Sequence, residues 1–506
     1  MENFTRILGR AALLAAFFLF PFGGMRAADG DTPAETVKFT AALPVLRLTM
    51  QDDVQRYMPY SNGTLQLTDT DGSVVSLKAK FKTRGATAQQ YLMKPSLTMK
   101  LRSDDYSASV DSSLLGIRTT SKYILDAMAV DAIAMRNRVG MDIWNDFSPL
   151  PYDTEYNGRN GTEGRFVEVY LNGEYLGIYC LSDQINRRLL NLKKYDDEKQ
   201  LVRGVLYKSG TEDIENQNDV GHTDDWLAYT IGWHNAWELK EPDEEYACEE
   251  AWQPLIDVHK LADEYKWDKD GYYAQVKKYF YIDNLVDYQL FHMALCIVDN
   301  WGNKNHFFSV RNIQKNIDDA DPTEAARRKF VLTPWDLDTD LGGAYDGTMY
   351  GGNYNEWLPE DMVKNGGFFP FPACQAQSEY MELMRKRWDE VRRTVFRPEL
   401  INKRLETYRD LFLGSGAWAR MTAAFEGMSV GPKHVDDLAK EISLIEEWYA
   451  KQYAAMDAYF GTTDGISATR VSAAAGRKGI YSVQGVRLSA APEKGVYIED
   501  GVKRVK

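Results

Sequence analysis

Apolar and polar positions alternate with a period of two over the first third of the chain, and the period lengthens to that of a helix in the second half. Residues 43–50 alternate, 64–68 do so ahead of the turn Asp69-Thr70-Asp71-Gly72, and 74–83 (VVSLKAKFKT) alternate again before running into Arg84-Gly85. Such runs predict half-buried strands. Residues 95–101 (PSLTMKL) read as a further strand. In 130–147, Ile133, Val139, Ile143 and Phe147 fall near one face of a helix. Residues 165–181 predict a hairpin, RFVEVYL and LGIYCL joined across NGEY, because Asn172-Gly173 supplies the positive-φ pair that a tight turn needs.

The second half predicts helices over 249–298, with a break near 266–271. Within it, 283–298 (DNLVDYQLFHMALCIV) is apolar, with Asp283 as the expected N-cap. That helix runs into the polar loop Asp299-Asn300-Trp301-Gly302-Asn303-Lys304-Asn305. Two strands follow at 306–311 and 330–334, separated by a charged turn at 312–328, and 378–461 is again helical. A β-rich stretch followed by a helical one predicts an α+β body with two lobes, the N-terminal lobe β-rich and the C-terminal lobe mostly helical. Residues 463–477 have the small, polar composition of a linker. The tail, 478–506, holds two short β runs centred on Tyr481 and Tyr497.

Composition narrows the class. The chain has 506 residues with Trp 12, Tyr 30 and Phe 21, ample for a packed core. Its formal net charge is −14, which argues against nucleic acid as a partner, since phosphate backbones need a basic field. Six histidines favour a metal held by carboxylate and amide oxygens over one held by imidazole. Arg6 and Arg10, the apolar run 11–22 and the small residues ending at Ala27-Ala28 predict a secretory signal peptide over 1–28 and hence an exported protein, periplasmic, on the cell surface or secreted. No other stretch approaches transmembrane length. The four cysteines, Cys180, Cys248, Cys296 and Cys374, permit two disulfides in three connectivities. Cys296, inside an apolar run, reads as a buried free thiol.

Three features can carry chemistry. Arg84-Gly85-Ala86-Thr87-Ala88 is a glycine-bearing turn between strands, followed by Lys94; backbone amides and a lysine together suit a phosphate. In DNWGNKN, Asp299 precedes Asn305 by six residues, and phosphoryl transfer uses an Asp to orient a hydroxyl and a later Asn to hold a metal. In PWDLDTDLGG, Asp336, Asp338 and Asp340 repel one another unless a cation such as magnesium or calcium, or hydrogen-bond donors, neutralise them. Each has a plainer reading: a hairpin turn, a polar helix-to-strand loop, a solvated acidic turn. The order of parts is that of a protein-kinase-like phosphotransferase, although G-x-G-x-x-G, V-A-I-K, H-R-D and D-F-G are all missing.

At these residues the chain resembles the CotH family, the spore coat protein H-like atypical kinases. The resemblance runs through Arg84-Gly85-Ala86-Thr87, Met93-Lys94-Pro95, Met99-Lys100-Leu101, Tyr123-Ile124-Leu125, Asp131 with Arg136-Asn137, the hairpin from Val169 to Leu181, Asp183, Tyr207-Lys208, the Asp299 to Asn305 loop and Trp335-Asp336-Leu337-Asp338. It spans roughly residues 40–460 within a kinase domain expected at 38–462, with lobes dividing near residue 210. It implies a protein-kinase-like fold, ATP as donor, Mg2+ or Mn2+ as cation, and phosphorylation of Ser or Thr on a secreted or surface protein. By position it makes Asp299 the catalytic residue. Asn305 and Asp336 become metal ligands, with Asp338 as the alternative ligand. Lys94 contacts the nucleotide phosphates, with Lys100 as alternative, and Arg84-Gly85 covers them. Arg136 takes a structural role in anchoring its helix.

The chain departs from the family pattern at Ala86, where an Asn is usual, at Lys94-Pro95, where two lysines are usual, and in the Asp299–Asn305 spacing, which leaves Asn303 as a competing ligand. These departures keep two other readings open: a scaffold that keeps the fold but not turnover and acts as a surface binding or structural protein, and a nucleotidyl transferase. The tail resembles short sorting tails of exported bacterial proteins.

Overall fold

A computed structural model describes residues 42–85, 90–152, 158–209, 237–243, 246–265, 267–301, 305–314, 328–364, 370–428 and 432–461, with the backbone of four short tail strands. The predicted signal peptide, the linker at 463–477, most of the charged turn at 312–328, residues 86–88 of the glycine turn, and Asn303 lie outside the described residues.

The alternating segments of the first half become seven strands: β1 (Val45–Met50), β2 (Ser61–Thr68), β3 (Val74–Thr83), β4 (Leu97–Arg102), β5 (Lys122–Asp126), β6 (Gly164–Leu171) and β7 (Glu174–Asp183). They close into a barrel in the order β1-β2-β3-β4-β5-β7-β6. Every pairing is antiparallel except the closing one, where β1 runs parallel to β6 with Leu46 opposite Val169 and Leu48 opposite Leu171. The inward positions, among them Leu46, Leu65, Phe81, Met99, Leu101, Val167 and Leu181, fill the interior. On β1 to β4 the outward positions are mostly polar, so the period of two there is the barrel's inside–outside alternation, whereas on β6 and β7 outward residues such as Phe166, Ile178 and Cys180 are apolar and pack into the helical core.

The predicted hairpin is β6–β7, and its turn residues take φ 50° at Asn172 and 92° at Gly173. Gly177 follows at φ 86°, and a Cβ there would stand 2.6 Å from Cγ of Met421. The second glycine of this motif therefore serves both the backbone conformation and the approach of a helix.

Helix α1 (Arg136–Phe147) begins later than the apolar spacing predicts. The reason is Asp131, which accepts hydrogen bonds from the backbone amides of Ile133, Met135 and Arg136 and holds the preceding segment in a turn. In the second half, α2 (Glu249–Glu264), α3 (Lys269–Tyr279) and α4 (Ile282–Leu295) fall where the helical period predicts, with the break between α2 and α3 in place. The expected cap of α4 is corrected: Tyr281 is the N-cap, and Asp283 sits in the first turn, where its charge favours the helix N-terminus. Every residue from Asn284 to Leu295 is buried, so α4 is a core helix.

A second, four-stranded antiparallel sheet runs β11-β10-β8-β9, built from β8 (Val205–Ser209), β9 (Trp237–Glu241), β10 (His306–Val310) and β11 (Phe330–Pro334). The long core helices α7 (Ser378–Val391), α8 (Pro398–Gly414) and α10 (Leu438–Phe460) follow, with α5 (Pro359–Lys364), α6 (Phe371–Gln375) and α9 (Ala417–Ala424) between and around them. The tail forms a small antiparallel sheet in the order β13-β12-β14-β15, from β12 (Ile480–Ser482), β13 (Arg487–Leu488), β14 (Val496–Glu499) and β15 (Val502–Val505). The chain is thus α+β as predicted. Barrel closure and the separate sheet in the second half are features that the hydrophobic pattern did not predict.

All four cysteines are free thiols, Cys180, Cys296 and Cys374 buried and Cys248 exposed. Cys296 is thus the buried thiol its sequence context predicts. Among the described residues no helix is long and apolar enough to cross a membrane.

Candidate active site

Four chain segments meet where β5, α1, α4 and β11 end. The segment after β11 turns sharply, because Asp336 sits in the left-handed region at φ 61°, a conformation that Asp tolerates better than most residues. Asn300, in the loop after α4, is buried and spends its amide on this turn: Nδ2 donates to the carbonyl oxygens of Trp335 at 2.6 Å and Asp336 at 2.7 Å. Asn305 in turn donates through Nδ2 to Oδ1 of Asn300 at 3.1 Å, and its backbone amide donates to the carbonyl of Ser209 at 3.0 Å. Asn305 also has φ 61°. From the other side, Asn137 of α1 donates to Oδ2 of Asp126 at 2.9 Å and accepts from the amide of Leu337 at 3.3 Å. Three asparagines thus bind the Asp299 loop, the end of β5 and the Asp336 loop into one unit.

The result is a concentration of carboxylates. Asp336 and Asp338 keep some contact with solvent, although protein surrounds them on most sides. Burial pushes the Asp336 carboxyl above the usual range; Lys208 and Arg84 oppose this, and Asp299 and Asp126 add to it. Asp338 is pushed well above the usual range, by burial first and then by Asp336, Asp126, Asp299 and Asp131. Asp340 is fully buried against α1, where a Cβ on Gly140 would lie 2.3 Å from its Oδ2. Its carboxyl too is raised well above the usual range by burial, and Arg136 acts in the opposite sense. Lys208 on β8 is pushed down to about 8, chiefly by burial, with Asp336 opposing.

Asp299, Asn305, Asp336 and Asp338 therefore share one neighbourhood, reached from two loops. Arg84 joins them: its guanidinium packs 5.2 Å from the Trp335 ring centroid and favours the charged form of Asp336. Gly85 follows with φ 84°. Lys94 lies deeper. It is 1% exposed, donates from Nζ to the carbonyl of Ala127 at 2.7 Å and packs on Tyr179. Its charge senses Asp126 and Asp131. Lys100 is not brought to these carboxylates; it stands on the outer face of the barrel, over Tyr60, among Lys82, Lys122 and Arg102. Asp183 is ion-paired with Arg118, and Arg136 with Asp131 at 2.6 Å, so Arg136 anchors α1 in the structural role expected of it.

Sequence reasoning gave no role to Asp126, Asn137, Asn300 or Lys208. Asn137 and Lys208 stood within quoted motifs, and Asp126 directly follows one, so position was the available signal. A crevice of only about 20 Å³, room for about one water molecule, lies beside this group, lined by Arg84, Ile124, Asp126, Asn137, Ser182 and Trp335 among others.

Among the described residues, no three Asp, Glu, His or Cys side chains are arranged to hold a metal ion by themselves. The donor set still suits a hard cation that takes one or two carboxylates and draws its remaining oxygens from amides, water and phosphate. Two adjoining carboxylates with raised affinity for protons are electrostatically short of positive charge, which is what such a cation supplies.

An α+β protein with a carboxylate-lined site between a barrel and a helical core is the class that these elements define. The family model for CotH kinase protein matches residues 81–456, and the chain belongs to that family. No curated protein matches the chain.

Proposed function

We propose that the protein is a phosphotransferase that moves the γ-phosphoryl group of ATP to a Ser or Thr hydroxyl of a protein substrate. The observation that carries this reading is the convergence of Asp299, Asn305, Asp336 and Asp338 from two loops tied together by Asn300, with both Asp336 and Asp338 raised by burial first and by neighbouring acids after it, and Lys208 and Arg84 as the cations bearing on Asp336. In this reading Asp336 and Asp338 hold Mg2+ or Mn2+, with the Asn305 amide oxygen as a further ligand. The cation would neutralise the phosphate oxygens and fix their orientation.

The residues of the chain have separate tasks. Asn300 holds the Asp336 turn in shape, and Asn137 holds Asp126 against the Leu337 amide. Lys208 and Arg84 offset negative charge next to Asp336. Asp299 orients the acceptor hydroxyl and accepts its proton as the new O–P bond forms and the bond to the ADP oxygen breaks. Lys94, tied to Ala127, supports the floor near Asp126 and does not reach outward to a phosphate.

The same reading takes the barrel half and the helical half, dividing near residue 210, as the two lobes of a protein-kinase-like domain over 38–462, and 478–506 as a sorting tail. The N-terminal sequence supports export, which places the substrate among secreted or surface proteins.

The test is to incubate the full chain with magnesium or manganese and ATP labelled at the γ or the α position, beside Asp336→Ala. Transfer of γ label alone, lost in the variant, supports the proposal. Transfer of α label means nucleotidyl transfer instead. No transfer with either label means that the fold serves as a binding scaffold.

A further inference from the structure

The outer face of β3, β4 and β5 is basic in a chain whose net charge is −14. Lys78, Lys80 and Lys82 are the outward residues of the end of β3, each partly exposed, between the buried Ala79, Phe81 and Thr83. Register places Lys80 directly opposite Lys100, Lys78 opposite Arg102, and Lys100 opposite Lys122. Like charges directly opposed across strands destabilise a sheet. Here the opposition is repeated on three adjacent strands. Burial, followed by Lys122, Arg102 and Lys82, pushes Lys100 down to about 8, and only Asp243 acts the other way among its main influences.

Among the described residues few carboxylates relieve this face. Among the described residues Lys78, Lys80, Lys82, Lys100 and Lys122 form no ion pair. Of the described acids nearby, Glu238 pairs with Lys240 and Glu241 with Arg187 at 3.4 Å, which leaves Asp243 as the acid that bears on Lys100. The lysines are held rather than free to swing out. Lys82 and Lys100 both lie over the Tyr60 ring, at 5.3 and 4.3 Å, and Lys78 over Tyr106 at 5.7 Å. The face continues toward the candidate active site. Burial, and then Lys208, Lys82, Arg84 and Lys122, disfavour the charged form of Lys240 on β9. Lys208 and Arg84 are the cations beside Asp336.

We propose that this lysine face binds the acceptor, and that the acceptor presents an acidic peptide whose carboxylates or phosphates lie along Lys80, Lys82, Lys100 and Lys122. That the bound segment then leads to Asp299 rests on the phosphotransfer reading; the binding itself does not. The dimensions suit an extended chain. From Lys78 to Lys82 a strand covers roughly 13 Å, and two inter-strand spacings cover roughly 10 Å, room for about four residues of extended peptide. Charge complementarity of this kind chooses partners and speeds their encounter.

Fluorescence anisotropy tests the proposal on the full chain without nucleotide. The probes are a labelled Glu-rich peptide with one central Ser and a Lys-rich peptide of the same length. The acidic peptide should bind and be released by salt, and the basic one should not bind. Lys82→Gln with Lys122→Gln should weaken acidic-peptide binding about ten-fold or more while nucleotide affinity moves by less than about two-fold. Lys122→Gln alone, whose thermal midpoint should hold or rise because it removes an opposed charge, provides the folded control. Preference for the basic peptide, no binding of the acidic one, or a parallel loss of nucleotide affinity in the double variant would each overturn the proposal. Because binding is read without turnover, a protein that binds the acidic peptide but transfers no label would sink the phosphotransfer reading and leave this one standing.

Discussion

Asn300 grips Asp336 by the backbone and leaves its carboxylate free. Its amide donates to the carbonyls of Trp335 and Asp336 at 2.6 and 2.7 Å, and its own oxygen accepts from Asn305. A single buried side chain thus sets the distance between the two loops that carry Asp299 and Asp336. It also supports an Asp held at positive φ, a strained state that persists only where its surroundings over-determine it.

Replacing Asn300 should therefore damage the site more than its lack of direct chemistry suggests. Asn300→Ala leaves two partly buried carbonyls without their donor and should cost about 1–2 kcal/mol of stability. Asn300→Asp should cost more, since it sets a carboxylate against those carbonyls and beside Asp336. Urea denaturation reads the stability order, and γ-label transfer should fall in both. Equal stability of the Asp variant and the parent would show that the amide is not what holds the turn.

Gly140 marks a second close approach. A Cβ at this position would meet Asp340 Oδ2 at 2.3 Å and Leu337 Cδ1 at 3.1 Å. Gly140→Ala should raise helix propensity and still destabilise the protein, by about 1–3 kcal/mol, because a packed contact must open. Displacement of the loop should also lower label transfer. A variant that is more stable than the parent would mean that the loop yields freely.

Much of this fold was legible in the sequence. The alternation in 74–83 is β3, and the Asn172-Gly173 pair is the turn between β6 and β7. Barrel closure was not legible, because the β1–β6 pairing joins segments more than a hundred residues apart and leaves no local signal. β8 was missed for another reason: its run is five residues long with four of them buried, so it carries no alternation. The late start of α1 turned on Asp131, whose side chain competed with the helix for backbone amides. In the site, the sequence showed the acids of PWDLDTD but not their counter-charges, since Lys208 arrives from a strand about 130 residues away. The lysine face was written in plain view as VVSLKAKFKT, yet its meaning needed the register against Lys100 and Lys122.

Lys94 should make stability depend on pH. Burial pushes its ammonium from 10.5 down to about 7 in the folded protein, against the opposing pull of Asp126 and Asp131. Below about 7 both states bind the proton, and the folded state bears the full cost of the buried charge. Between about 7 and 10.5 the unfolded chain binds the proton and the folded one does not, so stability rises with pH. Lys94→Met removes this contribution. Its stability relative to the parent should be greatest near about pH 6 and shrink by about pH 9. Denaturation at both values checks this, and a difference that does not change with pH would show that Lys94 is charged throughout.

Asp299 separates binding from chemistry. Its loop is anchored by neighbours, since Asn300 and Asn305 supply the hydrogen bonds that fix the turn. Loss of its carboxylate should therefore leave the fold and the Asp336–Asp338 pair in place. It also removes one of the acids that raise both of those carboxyls, which weakens the local negative field but leaves in place the two carboxylates assigned to the cation. Asp299→Ala should keep nucleotide affinity within about a few-fold, while transfer of label falls by about two orders of magnitude or more. Calorimetric titration with a nucleotide analogue and magnesium reads the first quantity, and label transfer reads the second. If a folded Asp299→Ala protein no longer binds nucleotide, Asp299 belongs to the binding apparatus and the proton acceptor must be sought among Asp126 and Asp338.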